Sequence, residues 1–222
     1  MITNVFFDLD DTLYDTTRLA NLARRAAVHS MINRGLPMVH EDALARLKEI
    51  IREKGSNFSN HFDILVEEST GEKNNKLVSA GIIGYHNSKF ANIMPFDDTM
   101  STLIDLRRRG LTLNVISNGR AVKQWEKIIR LGLEAFFKNV IISEEVGFSK
   151  PDGKIYEIAM DEAKCAPEES LFVDNDIVSI LGARKMGINT ILMNRVSKLP
   201  ESTHGGPAVN SLSEILPLLG KI

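Results

Sequence analysis

Apolar residues are grouped in two ways along this chain. Some form short unbroken runs, which are typical of buried strands, and others recur every three or four positions, which is typical of amphipathic helices. The runs are rich in Val, Ile and Phe and are too short for helices. They predict strands at Val5–Phe7, Leu113–Ile116, Val140–Ile142, Leu171–Val173 and Thr190–Met193.

Helical spacing dominates the part of the chain between the first two strands. Predicted helices follow one another there without an intervening strand, at Thr16–Asn33, Glu41–Lys54, His61–Ser69 and Leu77–Ile93. Such a series is typical of a small antiparallel bundle. We therefore expect a helical domain at residues 16–94, inserted into a domain formed by residues 1–15 and 95–222.

Strands and helices alternate after Pro95. Asp97 or Asp98 is expected to cap the first helix of this region, and Ser211 with Glu214 forms a capping-box pattern for a last one. Fully apolar strands alternating with helices predict an α/β fold with a doubly wound parallel sheet. In such sheets ligands bind beyond the carboxyl ends of the strands.

Polar and charged residues stand at these strand ends. Asp8 and Asp10 follow the first strand, Ser117 and Asn118 follow the second, and Asp174 follows the fourth. Each group alone could be a loop or a helix cap. Together with Lys150, which lies in the loop after the third strand, they bring acids, a hydroxyl, an amide and a lysine to one edge of one sheet.

The carboxylates at this edge need a cation. Two of them at ~4 Å repel by roughly 4 kcal/mol at an effective dielectric of about 20. A divalent ion shared by the Asp8 and Asp174 side chains and the Asp10 backbone carbonyl would relieve this repulsion. Oxygen-only ligation with few protein donors suits Mg²⁺.

Composition excludes several classes of function. The 222 residues are 43% hydrophobic and 25% charged, with a net charge of −2, which is ordinary for a globular protein and gives no support for nucleic-acid binding. No run approaches the ~18 apolar residues of a membrane span, and no signal peptide is visible. We expect a cytoplasmic monomer or homodimer without membrane or nucleic-acid partners.

The motifs in their order resemble the haloacid dehalogenase-like (HAD) hydrolase superfamily. The matching residues are Asp8-Leu9-Asp10-Asp11-Thr12, then Ser117-Asn118-Gly119, then Lys150-Pro151, then Asp174, with Gln124 and Gly132-Leu133 between them. Four motifs in order on the expected strand ends are specific. The resemblance implies that the helical insertion is a type-1 cap, and it is strongest to archaeal small-molecule phosphatases.

The resemblance also implies roles for individual residues. Asp8 is the expected nucleophile, which forms an aspartyl-phosphate, and Asp10 is the expected general acid and base. Ser117, the backbone at Asn118 and Lys150 are expected to bind the phosphoryl group. Mg²⁺ is the expected cofactor, with Asp8, Asp10 and Asp174 as ligands, and the expected substrate is a small phosphorylated metabolite such as glyceraldehyde 3-phosphate.

The fourth motif departs from the usual family pattern. Many relatives have a second acid about five residues after the first, and Ser179 occupies that position here. In a variant with adjacent acids, Asn175 occupies the second position. Asp176 is acidic but does not match either pattern, so whether Asn175, Asp176 or Ser179 completes the metal site stays open, and weaker metal binding is expected.

Three other functions stay open from the sequence. A 2-haloacid dehalogenase shares the aspartate nucleophile, but halide leaves without protonation, so Asp10 favours phosphoryl transfer. A phosphomutase shares the whole site and differs in retaining a phosphorylated product. A degenerate, non-catalytic binding protein is disfavoured because Asp8, Asp10 and Lys150 are all present.

Overall fold

A computed structural model describes residues 1–195 and 205–220. The chain divides into two compact units. An α/β unit combines Met1–Asp15 with the chain from Met94 onward, and a helical unit consists of Thr16–Ile93.

The α/β unit is built on a parallel sheet, as the alternation of strands and helices predicts. Within the described residues its strand order is β3-β2-β1-β4-β5-β6, so β1 lies in the centre. The strands are β1 (Asn4–Phe7), β2 (Thr112–Ser117), β3 (Asn139–Ile142), β4 (Ser170–Asp174), β5 (Asn189–Met193) and β6 (Ala208–Val209).

Register brings the carboxyl ends of the central strands together. Phe7 at the end of β1 pairs with Val115 on one side and with Val173 on the other. The Asp8 N–H donates a hydrogen bond to the Val173 carbonyl at 2.9 Å, which continues the β1–β4 ladder by one residue. Asp8 therefore leaves the sheet directly beside the end of β4.

Helices cover the sheet through apolar contacts. Phe6 and Phe172 on the sheet pack in one buried cluster with Tyr156 and Ile180 from the helices. In chain order after the helical unit, the helices are α5 (Thr99–Arg108), α6 (Ala121–Arg130), α7 (Ser143–Val146), α8 (Gly153–Ala163) and α9 (Ile177–Lys185). The predicted doubly wound α/β architecture is confirmed.

The helical unit contains four helices close to the predicted ranges, and it has its own buried core. Leu44, Leu47, Leu65 and Leu77 belong to this core and come from three of the helices. The helices are α1 (Thr16–Ile32), α2 (His40–Lys54), α3 (His61–Thr70) and α4 (Asn75–Asn92). In the described part of the chain no helix combines the length and the apolar character that crossing a membrane requires.

Two local predictions differ from the structure. The capping box at Ser211 starts only a short 3₁₀ segment, Leu212–Ile215, where an α-helix was expected. The two-residue strand β6 was missed because Ala208-Val209 is too short to show a period.

Asp98 does not cap α5 with its side chain, although it stands at the N-cap position. Its carboxylate instead accepts hydrogen bonds from Arg195 Nη1 and Nη2 at 2.9 and 2.7 Å. It also accepts hydrogen bonds from the Ser211 hydroxyl and from the Leu212 N–H. Asp98 thus connects the start of α5 to the chain after β5 and to the C-terminal segment.

We expect Asp98→Asn to destabilise the protein by about 1.5–3 kcal/mol, because hydrogen bonds between charged partners are lost. Burial acts to raise the pKa of Asp98, but the hydrogen bonds from Arg195 and Ser211 outweigh it and hold the pKa below its usual value. A lowered pKa adds stability at pH values above the unfolded pKa of about 3.9, and this is lost as the pH falls through the folded pKa.

Urea unfolding at pH 7 and at pH 3 measures this contribution. The wild-type advantage over Asp98→Asn should shrink at the lower pH. Asp97→Asn, which changes an exposed neighbouring carboxylate, is the matched control and should unfold like the wild type. Equal stability of all three proteins at pH 7 would contradict this role of Asp98.

Candidate active site

Asp8, Lys150 and Asp174 form a buried ionic cluster at the carboxyl edge of the sheet. Lys150 Nζ lies 2.6 Å from Asp8 Oδ1 and 2.7 Å from Asp174 Oδ2. The exposed fractions of the three side chains are 9% for Asp8, 3% for Lys150 and 1% for Asp174. The structure therefore brings together three residues that the sequence placed on separate loops.

This cluster carries a net charge of −1 when both carboxylates are ionised. Burial raises the pKa of Asp8 to about 7, against the opposing effect of the Lys150 ammonium. Burial raises the pKa of Asp174 as well. Burial alone would lower the pKa of Lys150, but the carboxylates of Asp174 and Asp8 raise it above its ordinary value, so the lysine stays charged.

The backbone of Lys150 is fixed by Asn118. Asn118 Oδ1 accepts a hydrogen bond from the Lys150 N–H at 2.8 Å, and Asn118 Nδ2 donates to the Lys150 carbonyl at 2.9 Å. The amide side chain thus pairs with both backbone groups of one residue. Asn118 can offer its own N–H to a bound anion, as the sequence predicts, while its side chain positions Lys150.

Ser117 lies at the end of β2 and is almost completely buried. Its hydroxyl oxygen accepts a hydrogen bond from Gln124 Nε2 at 2.5 Å. Because the oxygen is already an acceptor, its hydrogen is directed elsewhere and can be donated to an anion. Gln124, which the sequence placed among matching residues without a role, orients this hydroxyl.

The turn after Asn118 is braced by the α7 segment. Gly119 has φ of 143°, a conformation that favours glycine, and its N–H donates to Ser143 Oγ at 2.9 Å. Glu144 Oε2 accepts the N–H of Ala121, the first residue of α6, at 2.7 Å. The Ala121 N–H is therefore already used, and the turn at Ser117 and Asn118 is the part of this segment that can meet an anion.

Asp10 points to a different set of partners from those of Asp8. Asp11 has φ of 59°, a left-handed turn residue that changes the direction of the chain just after Asp10. The Asp10 carboxylate pairs with Lys127 Nζ at 2.7 and 2.8 Å and accepts from the Tyr14 hydroxyl at 2.6 Å. Sequence reasoning gave Lys127 and Tyr14 no role.

The residues after Asp174 are used mainly in local structure. Asp176 caps α9 by accepting the N–H groups of Val178 and Ser179, and the Ser179 hydroxyl also donates to it at 2.7 Å. The Asp176 N–H donates to Asp174 Oδ1 at 2.7 Å. Asn175 Oδ1 accepts from the Thr12 hydroxyl at 3.4 Å. Asp176 therefore serves as a helix cap and hydrogen-bonds Asp174 through its backbone.

The donor set fits a magnesium ion that has few protein ligands. Among the described residues, no three acidic, histidine or cysteine side chains are grouped as a metal site. Two buried carboxylates are present, however, and together with Lys150 they carry one excess negative charge. Mg²⁺ commonly binds one or two carboxylates together with waters and substrate oxygens. The Asp8 and Asp174 side chains supply the two carboxylates that such a site requires.

Comparison with known proteins agrees with this geometry. The family model described as haloacid dehalogenase-like hydrolase matches residues 5–193. The chain belongs to this family. The match spans the strands and loops that carry all of the site residues described above.

Similar proteins point to one branch of the family. The chain is 49% identical to a protein of Methanothermobacter thermautotrophicus named glyceraldehyde 3-phosphate phosphatase, over 96% of this chain and 93% of the relative. A protein of the same name from Methanocaldococcus jannaschii is 39% identical over 99% and 97% of the two chains. This HAD-family chain is accordingly an enzyme of the phosphatase type.

A solved structure extends the likeness to the whole fold. A magnesium-bound crystal structure of YfnB, a HAD-hydrolase candidate from Bacillus subtilis, superposes with a TM-score of 0.73 at 22% identity. The superposition covers 98% of both chains. At this identity the likeness concerns the fold alone.

Proposed function

We propose that this phosphatase hydrolyses a small phosphorylated metabolite, with glyceraldehyde 3-phosphate as the first candidate, through a covalent intermediate on Asp8. The observation that carries the proposal is the buried contact of Lys150 with both Asp8 and Asp174. A carboxylate can attack a phosphate ester only if nearby positive charge offsets the repulsion between the two anions. Lys150 supplies one such charge directly beside Asp8.

The first half of the reaction uses residues on two sides of the phosphoryl group. Asp8 Oδ attacks phosphorus as the bond from phosphorus to the leaving oxygen breaks, and Asp10 gives a proton to that oxygen. The Ser117 hydroxyl and the Asn118 N–H donate hydrogen bonds to the phosphoryl oxygens. In the second half Asp10 takes a proton from a water molecule, whose oxygen attacks phosphorus and releases Asp8 and phosphate.

Asp8, Asp174 and the Asp10 carbonyl would hold Mg²⁺ in this enzyme. When bound, the ion supplies Lewis-acid stabilisation of phosphoryl charge and offsets the excess negative charge of the buried cluster. The absence of a second carboxylate at Asn175 or Ser179 supports weaker binding than in relatives with two such acids.

We expect Mg²⁺ to raise the melting temperature of the wild type and chelation to abolish its activity. The rise should be absent in Asp174→Asn, because one of the two carboxylate ligands becomes a neutral amide. Thermal melting over a Mg²⁺ titration measures both effects. Activity that persists after exhaustive chelation would overturn the assignment of magnesium.

A phosphate-release assay with matched three-carbon esters tests the substrate. We expect glyceraldehyde 3-phosphate to give a higher kcat/KM than glycerol 3-phosphate, in which the aldehyde is an alcohol, and than dihydroxyacetone phosphate, its ketone isomer. The basis is the name shared by the two archaeal relatives. A uniformly low rate on these three esters with high activity on another metabolite would redirect the substrate proposal.

The same assay separates the other functions open from the sequence. A dehalogenase would release halide from 2-chloropropionate. We do not expect this activity, because a departing halide needs no general acid, whereas several hydrogen-bond donors hold the proposed general acid Asp10 in place. A phosphomutase would return a phosphorylated isomer without free phosphate. A binding protein would give no turnover with any ester.

A further inference from the structure

A lysine outside the predicted site is bonded to the proposed general acid. Lys127 Nζ lies 2.7 Å from Asp10 Oδ1 and 2.8 Å from Asp10 Oδ2, so the ammonium contacts both carboxylate oxygens. Lys127 stands in the last turn of α6, where a lysine usually offsets the helix dipole in solvent. Here only 14% of its side chain is exposed, against 31% for Asp10.

Two further donors complete the arrangement around Asp10. The Tyr14 hydroxyl donates to Oδ1 at 2.6 Å, and Gln124 Nε2 lies 3.1 Å from Oδ2. Tyr14 itself is almost completely buried, so its ring cannot move freely. Gln124 and Lys127 are three residues apart on α6 and therefore share one helix face. Donors from α6 and from the segment after β1 therefore hold both oxygens of the Asp10 carboxylate.

We propose that Lys127, assisted by Tyr14, is a positioning residue for Asp10. This proposal rests on the proposed phosphatase function. The terminal torsion of an aspartate is broad and defines no single direction for its carboxylate. Contact with both oxygens fixes that direction. A fixed direction matters because misplacement of a reacting group by about 1 Å can cost about 100-fold in rate.

The contact with Lys127 leaves the proton balance of the proposed first half-reaction unchanged. There the proton moves from Asp10 to the leaving oxygen while the phosphorus–oxygen bond breaks and the Asp8–phosphorus bond forms. Asp10 is left as a carboxylate paired with Lys127. In the second half the proton returns from the attacking water, so Lys127 itself gains and loses nothing.

The dependence on leaving group distinguishes this role from a structural one. An alkyl phosphate releases an alkoxide that needs a proton, whereas an activated ester such as p-nitrophenyl phosphate or another nitrophenyl phosphate releases a stable anion that does not. The value of kcat/KM reports the steps through formation of the phosphoenzyme. A defect in Asp10 should therefore appear in kcat/KM for glyceraldehyde 3-phosphate and be small for the activated esters.

We expect Lys127→Met to lower kcat/KM about 10- to 100-fold for glyceraldehyde 3-phosphate and less than about threefold for the activated esters. Tyr14→Phe, which keeps the buried ring and removes one hydrogen bond, should show the same pattern with a smaller loss and serves if Lys127→Met does not fold. Lys138→Met, which changes an exposed lysine of the same unit, is the control and should resemble the wild type.

Equal losses of kcat/KM on all esters in both variants would show that Lys127 and Tyr14 support only the structure. Unchanged kcat/KM on every ester would show that Asp10 needs neither residue. Either result overturns the proposal. Failure of the proposed function is distinguishable, because the wild type would then release no phosphate from any ester.

Discussion

Replacing Asp8 by asparagine is expected to abolish phosphate release, with a loss of about 10⁴-fold or more in kcat, because the amide cannot form the acyl phosphate. The substitution keeps the size of the side chain. It also removes one of two buried negative charges around Lys150 and leaves a neutral Lys150–Asp174 pair. We therefore expect the free energy of unfolding without Mg²⁺ to stay equal or to increase.

Kinetics and urea unfolding together check this prediction. Asp161→Asn, which changes an exposed carboxylate on α8, is the control and should keep full activity. Substantial residual turnover by Asp8→Asn in freshly purified protein would contradict the role of Asp8. A large loss of stability would contradict the account of the buried charges.

Replacing Lys150 by methionine is expected to damage stability as well as activity. Asp8 and Asp174 would remain buried side by side without their shared cation, and breaking a buried ion pair from one side costs about 3–5 kcal/mol. The methionine has similar length, so lost packing contributes little. Loss of the charge beside Asp8 should also lower kcat by about 100-fold or more.

Lys154→Met is the matched control for this variant. Lys154 lies four residues further along the chain, and its ion pair with Glu157 is exposed, so its removal should leave melting and activity unchanged. Mg²⁺ should recover part of the stability of Lys150→Met, because a cation at the two carboxylates replaces some of the missing charge. Wild-type stability of Lys150→Met without metal would be incompatible with the buried cluster.

Much of the fold could be predicted because its strands are buried on both faces. Val5–Phe7 and Leu171–Val173 are uninterrupted apolar runs, and such runs have few other interpretations between helices. Topology then placed the ends of these strands at one edge. Asp8 and Asp174 were predictable as neighbours for that reason, and the structure bears this out.

Residues that act across long sequence distances could not be predicted in the same way. Lys127 reaches Asp10 from another element through a long side chain, and nothing in its helix distinguishes it from a lysine that offsets the helix dipole. Asp98 shows the reverse case, since its position predicts a cap but its carboxylate binds Arg195. Gln124 gave the clearest signal available, a polar residue on the apolar face of α6.

In the proposed mechanism this enzyme hydrolyses phosphate esters through a covalent bond to Asp8. Acid quenching of the wild type during turnover of glyceraldehyde 3-phosphate with Mg²⁺, followed by peptide mass spectrometry, tests it directly. We expect a phosphoryl adduct on Asp8 that hydroxylamine removes. The adduct should accumulate further when Asp10 is replaced by asparagine and an activated ester is the substrate. Phosphate release without any such adduct, or with an adduct on another residue, would contradict it.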